Sequence, residues 1–131
     1  MTNKHREIVI KIKTTGLELT PVIEEYVRAK VGMLQKFFPH YAKESGKLIF
    51  EVEVGKTTKH HRTGDVFRAE INFNADGASL RSEATKDDLH AAIDEAKDEM
   101  QREMRKHKNR EQSLFKRGGT RIKDFLRQFS N

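Results

Sequence analysis

The stretch TKDDLHAAIDEAKDEMQREMRKHKNR, residues 85–110, decides how the rest of the chain must be arranged. Leu89, Ala92, Ile93, Ala96, Met100, Met104 and His107 follow the three- and four-residue spacing that lays one apolar stripe along a helix. One side of this helix is therefore core. Thr85 is placed to cap it, with Asp88 in the capping-box position and Ala84 ready to staple onto Leu89. Asp87, Asp88, Asp94, Glu95, Asp98 and Glu99 make the first half acidic, while Arg102, Arg105, Lys106, Lys108 and Arg110 make the second half basic. The helix macrodipole accounts for acids at the start, and an Asp98–Arg102 pair at i,i+4 fits the same account. Five bases so close together exceed what a helix end needs, and an anionic partner becomes a reading of equal weight to plain solvation.

Working outward, residues 7–13 alternate, with Ile8, Ile10 and Ile12 on one face, until Gly16 interrupts them. Thr20-Pro21 then opens a first helix, threonine as the N-cap and proline at the first helical position. Its stripe is Ile23, Val27, Lys30 or Val31, Leu34 and Phe37 or Phe38, and Pro39 with the polar run 43–46 is expected to stop it. Residues 47–54, 65–73 and 78–84 alternate again, burying Leu48, Phe50, Val52 and Val54, then Phe67, Ala69, Ile71 and Phe73, then Ala78, Leu80 and Ser82. Asn74-Ala75-Asp76-Gly77 marks the second turn of this meander. The reading is an α+β fold, a β-α-β-β-β-α two-layer sandwich with a four-stranded sheet and two helices on one face. Lys11, Lys13, Glu51, Glu53, Arg68, Glu70, Arg81 and Glu83 fall on the opposite face as solvated cross-strand pairs, without the aromatics an RNA-stacking sheet would carry.

The composition narrows the function classes. The 131 residues fit one domain, and the absence of cysteine excludes disulfides and thiolate metal sites. No window approaches the roughly 20 apolar residues of a membrane span, and a cytoplasmic protein is expected. The net charge of +6 is uneven: residues 1–104 carry 17 bases against 18 acids, and residues 105–131 carry nine bases against Glu111 and Asp124. Anions should thus be engaged chiefly from one end.

Other candidates are weaker. Gly55-Lys56-Thr57-Thr58 imitates the end of a P-loop but has Phe50 where the first glycine belongs and leads into a hairpin. Lys59, His60, His61 and Arg62 form a basic hairpin tip, read as loop contacts to phosphate or as a solvated loop; adjacent histidines would need distant help, from His40 or a carboxylate, to hold zinc. No metal, cofactor, small-molecule substrate or catalytic set is expected, and the chain is read as no enzyme. Residues 111–131 are set apart from a 1–110 domain as a basic amphipathic tail. There Ile122, Phe125, Leu126 and Phe129, following Gly118-Gly119-Thr120, spell a separate short helix that either docks on the domain or binds a partner.

Leu17-Glu18-Leu19-Thr20-Pro21, Asp76-Gly77-Ala78-Ser79-Leu80-Arg81 and Asp88-Leu89-His90-Ala91-Ala92-Ile93-Asp94, in this element order, resemble the ribosome hibernation-promoting factor family, also known as ribosome-associated translation inhibitors and earlier as sigma-factor modulation proteins. The resemblance implies a bacterial factor that binds the small ribosomal subunit between head and body, overlaps the tRNA and mRNA positions, and silences idle ribosomes. It places rRNA contacts at Lys30 and Lys36 on the first helix and at Arg102 and Lys106 on the second, with Arg28, Arg105 and Lys108 nearby. Met33 and Glu99 stand where relatives often carry lysine. The chain looks like the short class, but its basic amphipathic tail does not match the tails of that class, so no ribosome-pairing role is carried over. A double-stranded RNA-binding module and a protein-interaction factor acting through the tail are the alternatives.

Overall fold

The computed structural model describes residues 7–42, 46–58 and 64–128, the side chains of Thr58 and of 119–128 excepted. The strands are β1 (Glu7–Thr15), β2 (Lys47–Thr58), β3 (Asp65–Ala75) and β4 (Ala78–Lys86), and the helices are α1 (Pro21–Gly32), α2 (Phe38–Tyr41) and α3 (Leu89–Gln128). They form one four-stranded sheet in the order β1-β2-β3-β4. β1 runs parallel to β2, as the intervening α1 crossover demands, and the other pairs are antiparallel. The α+β architecture expected from the alternation is the one observed.

The inward strand residues Leu48, Phe50, Val52, Val54, Ala69, Ile71, Phe73, Ala78 and Ala84 pack with Ile23, Val27 and Val31 of α1 and Ala92, Ile93, Ala96, Met100 and Met104 of α3 in one core. Both long helices cover the same sheet face. Ser82, the buried polar side chain of that core, donates to the Ala96 carbonyl at 2.8 Å and so ties β4 to α3 without an orphaned hydroxyl. On the other face Lys13 meets Glu53 at 3.6 Å, and Arg68 and Arg81 clamp Glu70 and Glu83. The Asn72 amide, followed by the two guanidinium groups, holds Glu70 below the usual carboxylate range. This face is a lattice of ion pairs, as its alternating signs foretold.

Four details depart from the sequence reading. Thr85 does not cap α3: it pairs with Arg68 in the β ladder, and Asp88 caps instead, its carboxylate accepting from the Ala91 amide at 2.9 Å. A β-branched threonine suits the strand, and aspartate suits the cap equally well. The first helix does not run to Phe38 but ends at Gly32, and Pro39 sits in the first turn of α2, after a 3₁₀ turn at Gln35–Phe37, where its missing amide hydrogen is harmless. Ile8 lies at the start of edge strand β1 and stays 41% exposed. The expected separate tail helix is a continuation of α3, whose backbone passes through Gly118-Gly119 to Gln128. Two glycines weaken a helix by about 1 kcal/mol each, and no proline follows to stop it.

Gly16 has φ of +76°, and a Cβ there would lie 2.4 Å from the Lys56 carbonyl oxygen, so the exit from β1 requires glycine. Gly16→Ala is expected to lower stability in urea unfolding by roughly 1–3 kcal/mol. Gly32→Ala, which meets nothing within 4 Å, should be neutral or slightly stabilising; equal effects of the two changes would refute the assignment.

Candidate nucleic-acid interface

α1 and α3 meet along a seam stitched by Asp94. The Tyr26 hydroxyl donates to its carboxylate at 2.5 Å and the Lys30 ammonium lies 3.0 Å away, with the same ammonium 5.3 Å from the Tyr26 ring centre. His90, one turn earlier on α3, meets that ring edge-on at 4.4 Å. Burial opposes the ionised form of Asp94, but the Tyr26 and Lys30 contacts outweigh it and hold its carboxyl below the usual value. The hydrogen bond to Asp94 in turn raises both Tyr26 and Lys30.

Further along, α2 is fastened to α3 where the buried stripe ends. Tyr41, in the core against Phe73, donates its hydroxyl to the Met104 carbonyl at 3.1 Å and lies 3.0 Å from His107 Nδ1. Burial, reinforced by the nearby Glu111 charge, pushes its phenol up to about 12.

The helical geometry sorts the predicted bases into two groups. Glu95 pairs with Lys86 of β4 at 3.1 Å, and Glu99 lies beside Arg81, Ser82 and Glu83. Arg102 and Lys106, one and two turns on from Glu99, continue that β4-edge flank and are exposed, Lys106 lying 3.8 Å from Glu103. Arg105 and Lys108 instead continue the flank of Asp94, which faces α1 and Lys30. Lys30 and the Arg102–Lys106 pair thus share the helical layer but not one flank. Arg28 is held by Glu24 at 3.2 Å, and Lys36 projects from the 3₁₀ turn 5.4 Å from the Phe37 ring centre. Asp98 takes neighbouring Lys97 at 2.6 Å, not Arg102. Lys97, absent from the expected set, adds a base to the α1-facing flank; its position three residues after Asp94 was the available signal. Met33 is exposed at the end of α1, and Glu99 is half-buried on the β4 flank.

Lys59, His60, His61 and Arg62 lie outside the described residues, as does Phe129. The backbone of Ile122, Phe125 and Leu126 belongs to α3. Gly55, Lys56, Thr57 and Thr58 are strand β2, which disposes of the P-loop imitation.

The family model described as Sigma 54 modulation protein / S30EA ribosomal protein matches residues 10–112, from β1 into the basic part of α3. The chain belongs to this family. Among its relatives, the ribosome hibernation promotion factor of Bacillus subtilis is 27% identical over 109 residues, which span 83% of this chain and 53% of that one. The ribosome hibernation promoting factor of Klebsiella oxytoca is 27% identical over 103 residues, 77% of this chain and 96% of that one. The chain spans about half the length of the Bacillus and Lactococcus relatives it matches. The N-terminal domain of Thermus thermophilus Protein Y has the same fold, with a TM-score of 0.60, 28% identity and coverage of 76% of this chain and 98% of that one. A Coxiella burnetii ribosomal subunit interface protein shares the fold at a TM-score of 0.57 and 15% identity, with coverage of 76% and 97%.

The seam makes a pH prediction. Because Asp94 is held below the ordinary carboxylate value, its contribution is present above about pH 4 and is lost as pH falls through its lowered value. Thermal melts between pH 6 and pH 3 should therefore show a smaller acid-induced drop for Asp94→Asn than for the native chain. Equal drops would remove Asp94 from the seam's energetics.

Proposed function

We propose that this chain is a non-enzymatic ribosome-binding factor of the hibernation type, acting in the cytoplasm on the small ribosomal subunit. It contacts rRNA in the tRNA and mRNA channel through bases on the helical layer, and by occupying that channel it inhibits translation. The observation that carries the proposal is the bare, cationic second half of α3, where Arg102, Arg105 and Lys106 are exposed beyond the end of the acidic half. A helix with bases on both flanks suits a groove walled by phosphates, because either wall finds a cation within reach. The Klebsiella relative, matched over nearly its whole length, is named as a ribosome hibernation promoting factor, which supports the same reading.

Lys36 adds a contact from the turn after α1, with Arg28 beside it. Lys30 takes a lesser part, since its ammonium is shared with Asp94 and reaches a phosphate only as that pair loosens. Lys59, His60, His61 and Arg62 are assigned supporting phosphate contacts. Residues 1–110 make up the ribosome-binding part, and 111–131 a basic extension with Ile122, Phe125, Leu126 and Phe129 for a separate partner.

Sedimentation with purified small subunits, large subunits and a plain RNA duplex at rising salt tests this. Binding should be strongest to small subunits and should weaken with salt. Arg102→Glu with Lys106→Glu, and separately Arg105→Glu with Lys108→Glu, should each reduce binding at least tenfold and flatten the salt slope by about one unit per lost phosphate contact. All four residues lie off the buried stripe, so melting temperatures should hardly change. Equal affinity for the plain duplex would replace the proposal with a general double-stranded RNA binder, and indifference to both double changes would end it.

A further inference from the structure

Beside the root of the α3 extension, three side chains that no RNA contact uses point at one another. His40 comes from α2, and His107 and Glu111 stand at i and i+4 on one face of α3. His40 Nε2 lies 3.2 Å from one Glu111 carboxylate oxygen, and His107 Nε2 lies 3.2 Å from the other. All three ligand atoms fall within 4.8 Å of one another. Neighbouring ligands of a tetrahedral zinc ion with bonds near 2.0–2.1 Å stand about 3.3 Å apart, the separation that each imidazole nitrogen has from its own Glu111 oxygen, and a small inward shift of the side chains would bring all three ligand atoms to it.

The hydrogen bonds behind His107 select the nitrogen it presents. The Met104 carbonyl can only accept, so the Tyr41 hydroxyl spends its one hydrogen there, at 3.1 Å. The 3.0 Å contact between that hydroxyl oxygen and His107 Nδ1 then takes its hydrogen from the imidazole. His107 Nε2, the ring nitrogen not engaged by Tyr41, faces the Glu111 carboxylate at 3.2 Å and is placed, with that carboxylate and His40 Nε2, to ligate a shared cation. The Tyr41 ring, stacked on His107 at 21° and meeting His40 edge-on, fixes both imidazoles. Metal-ligating histidines are commonly oriented in this way, by a second partner on the far ring nitrogen.

We propose that His40, His107 and Glu111 bind one divalent transition-metal ion of the zinc class, with a fourth position open to water. Two imidazoles and one carboxylate form a donor set that zinc favours over calcium or magnesium. The pocket beside them, lined by Gln112, Phe115 and Lys116, leaves room for that water. The ion bridges α2 to the first two turns of α3 beyond Met104, the last buried residue of the stripe among the described residues. It would thus fix the direction in which the basic extension leaves the domain.

Titration of the untagged full chain with Co²⁺ alone, followed by visible d–d absorption, and with Zn²⁺ alone, followed by calorimetry, tests the site. One ion per chain should bind, the cobalt spectrum should be that of a four-coordinate centre, and zinc should raise the melting temperature. His107→Gln and Glu111→Gln should each weaken binding at least tenfold, with far-UV circular dichroism reporting that the fold survives. His60→Ala with His61→Ala should leave binding unchanged, since neither residue belongs to the proposed ligand set. The proposal is overturned if neither ion binds, if binding survives loss of His107 and Glu111, or if it disappears with His60 and His61.

Discussion

The closeness with which α3 lies on the sheet governs the rest of the molecule. Ala92 and Ala96 offer almost no side-chain bulk, so the helix backbone comes near enough to β4 for the Ala96 carbonyl to accept from Ser82. Met100 and Met104 then carry the buried stripe further along with longer, flexible, polarizable chains. Small residues first and adaptable ones later set the angle at which α3 crosses the strands. That angle decides what meets α1 on one flank and what overhangs the β4 edge on the other. Larger residues at 92 and 96 would lift the helix, separate Ser82 from its acceptor and pull Asp94 away from Tyr26 and Lys30.

Polar contacts within the helical layer finish what the apolar packing begins. Tyr26 and Lys30 reach across to Asp94, and Tyr41 reaches across to Met104 and His107, so α1 and α2 are each fastened to α3 by a tyrosine hydroxyl. Each tyrosine also lays its ring against a histidine of α3, His90 or His107. Tyrosine, partly buried at 26 and fully at 41, suits this role because its body adds apolar area while its tip satisfies a polar group. The wet sheet face needs no such fastening, and its Arg–Glu lattice keeps it solvated.

Much of this was legible in the amino-acid order. Alternation of Leu48, Phe50, Val52 and Val54 against Glu51 and Glu53 reports a sheet with one wet face, because a strand's side chains must point in opposite directions in turn. The α3 stripe was equally plain. Caps were harder: Thr85 and Asp88 are both good capping residues, and only the length of the β3–β4 ladder decides between them. The tail misled because Gly118-Gly119 looks like a stop, whereas glycine only weakens a helix that nothing else interrupts. Among the candidate bases, periodicity gave the flank of each residue but not which flank α1 would occupy. That is why Lys30 and Arg102 were grouped, and why Lys97 was passed over. His40 and Glu111 lie too far apart in the chain for any spacing rule to join them.

Past Met104 the backbone of α3 runs on for 24 residues, from Arg105 to Gln128, about 36 Å of rod at 1.5 Å per residue. Such a rod behaves as a lever whose fulcrum is the Tyr41 corner. A tilt of roughly 5° there would carry the tip by about 3 Å, the difference between touching a surface and missing it. Aim, not only charge, is therefore set at the root, by a tyrosine and two imidazoles that need never touch what the far end meets.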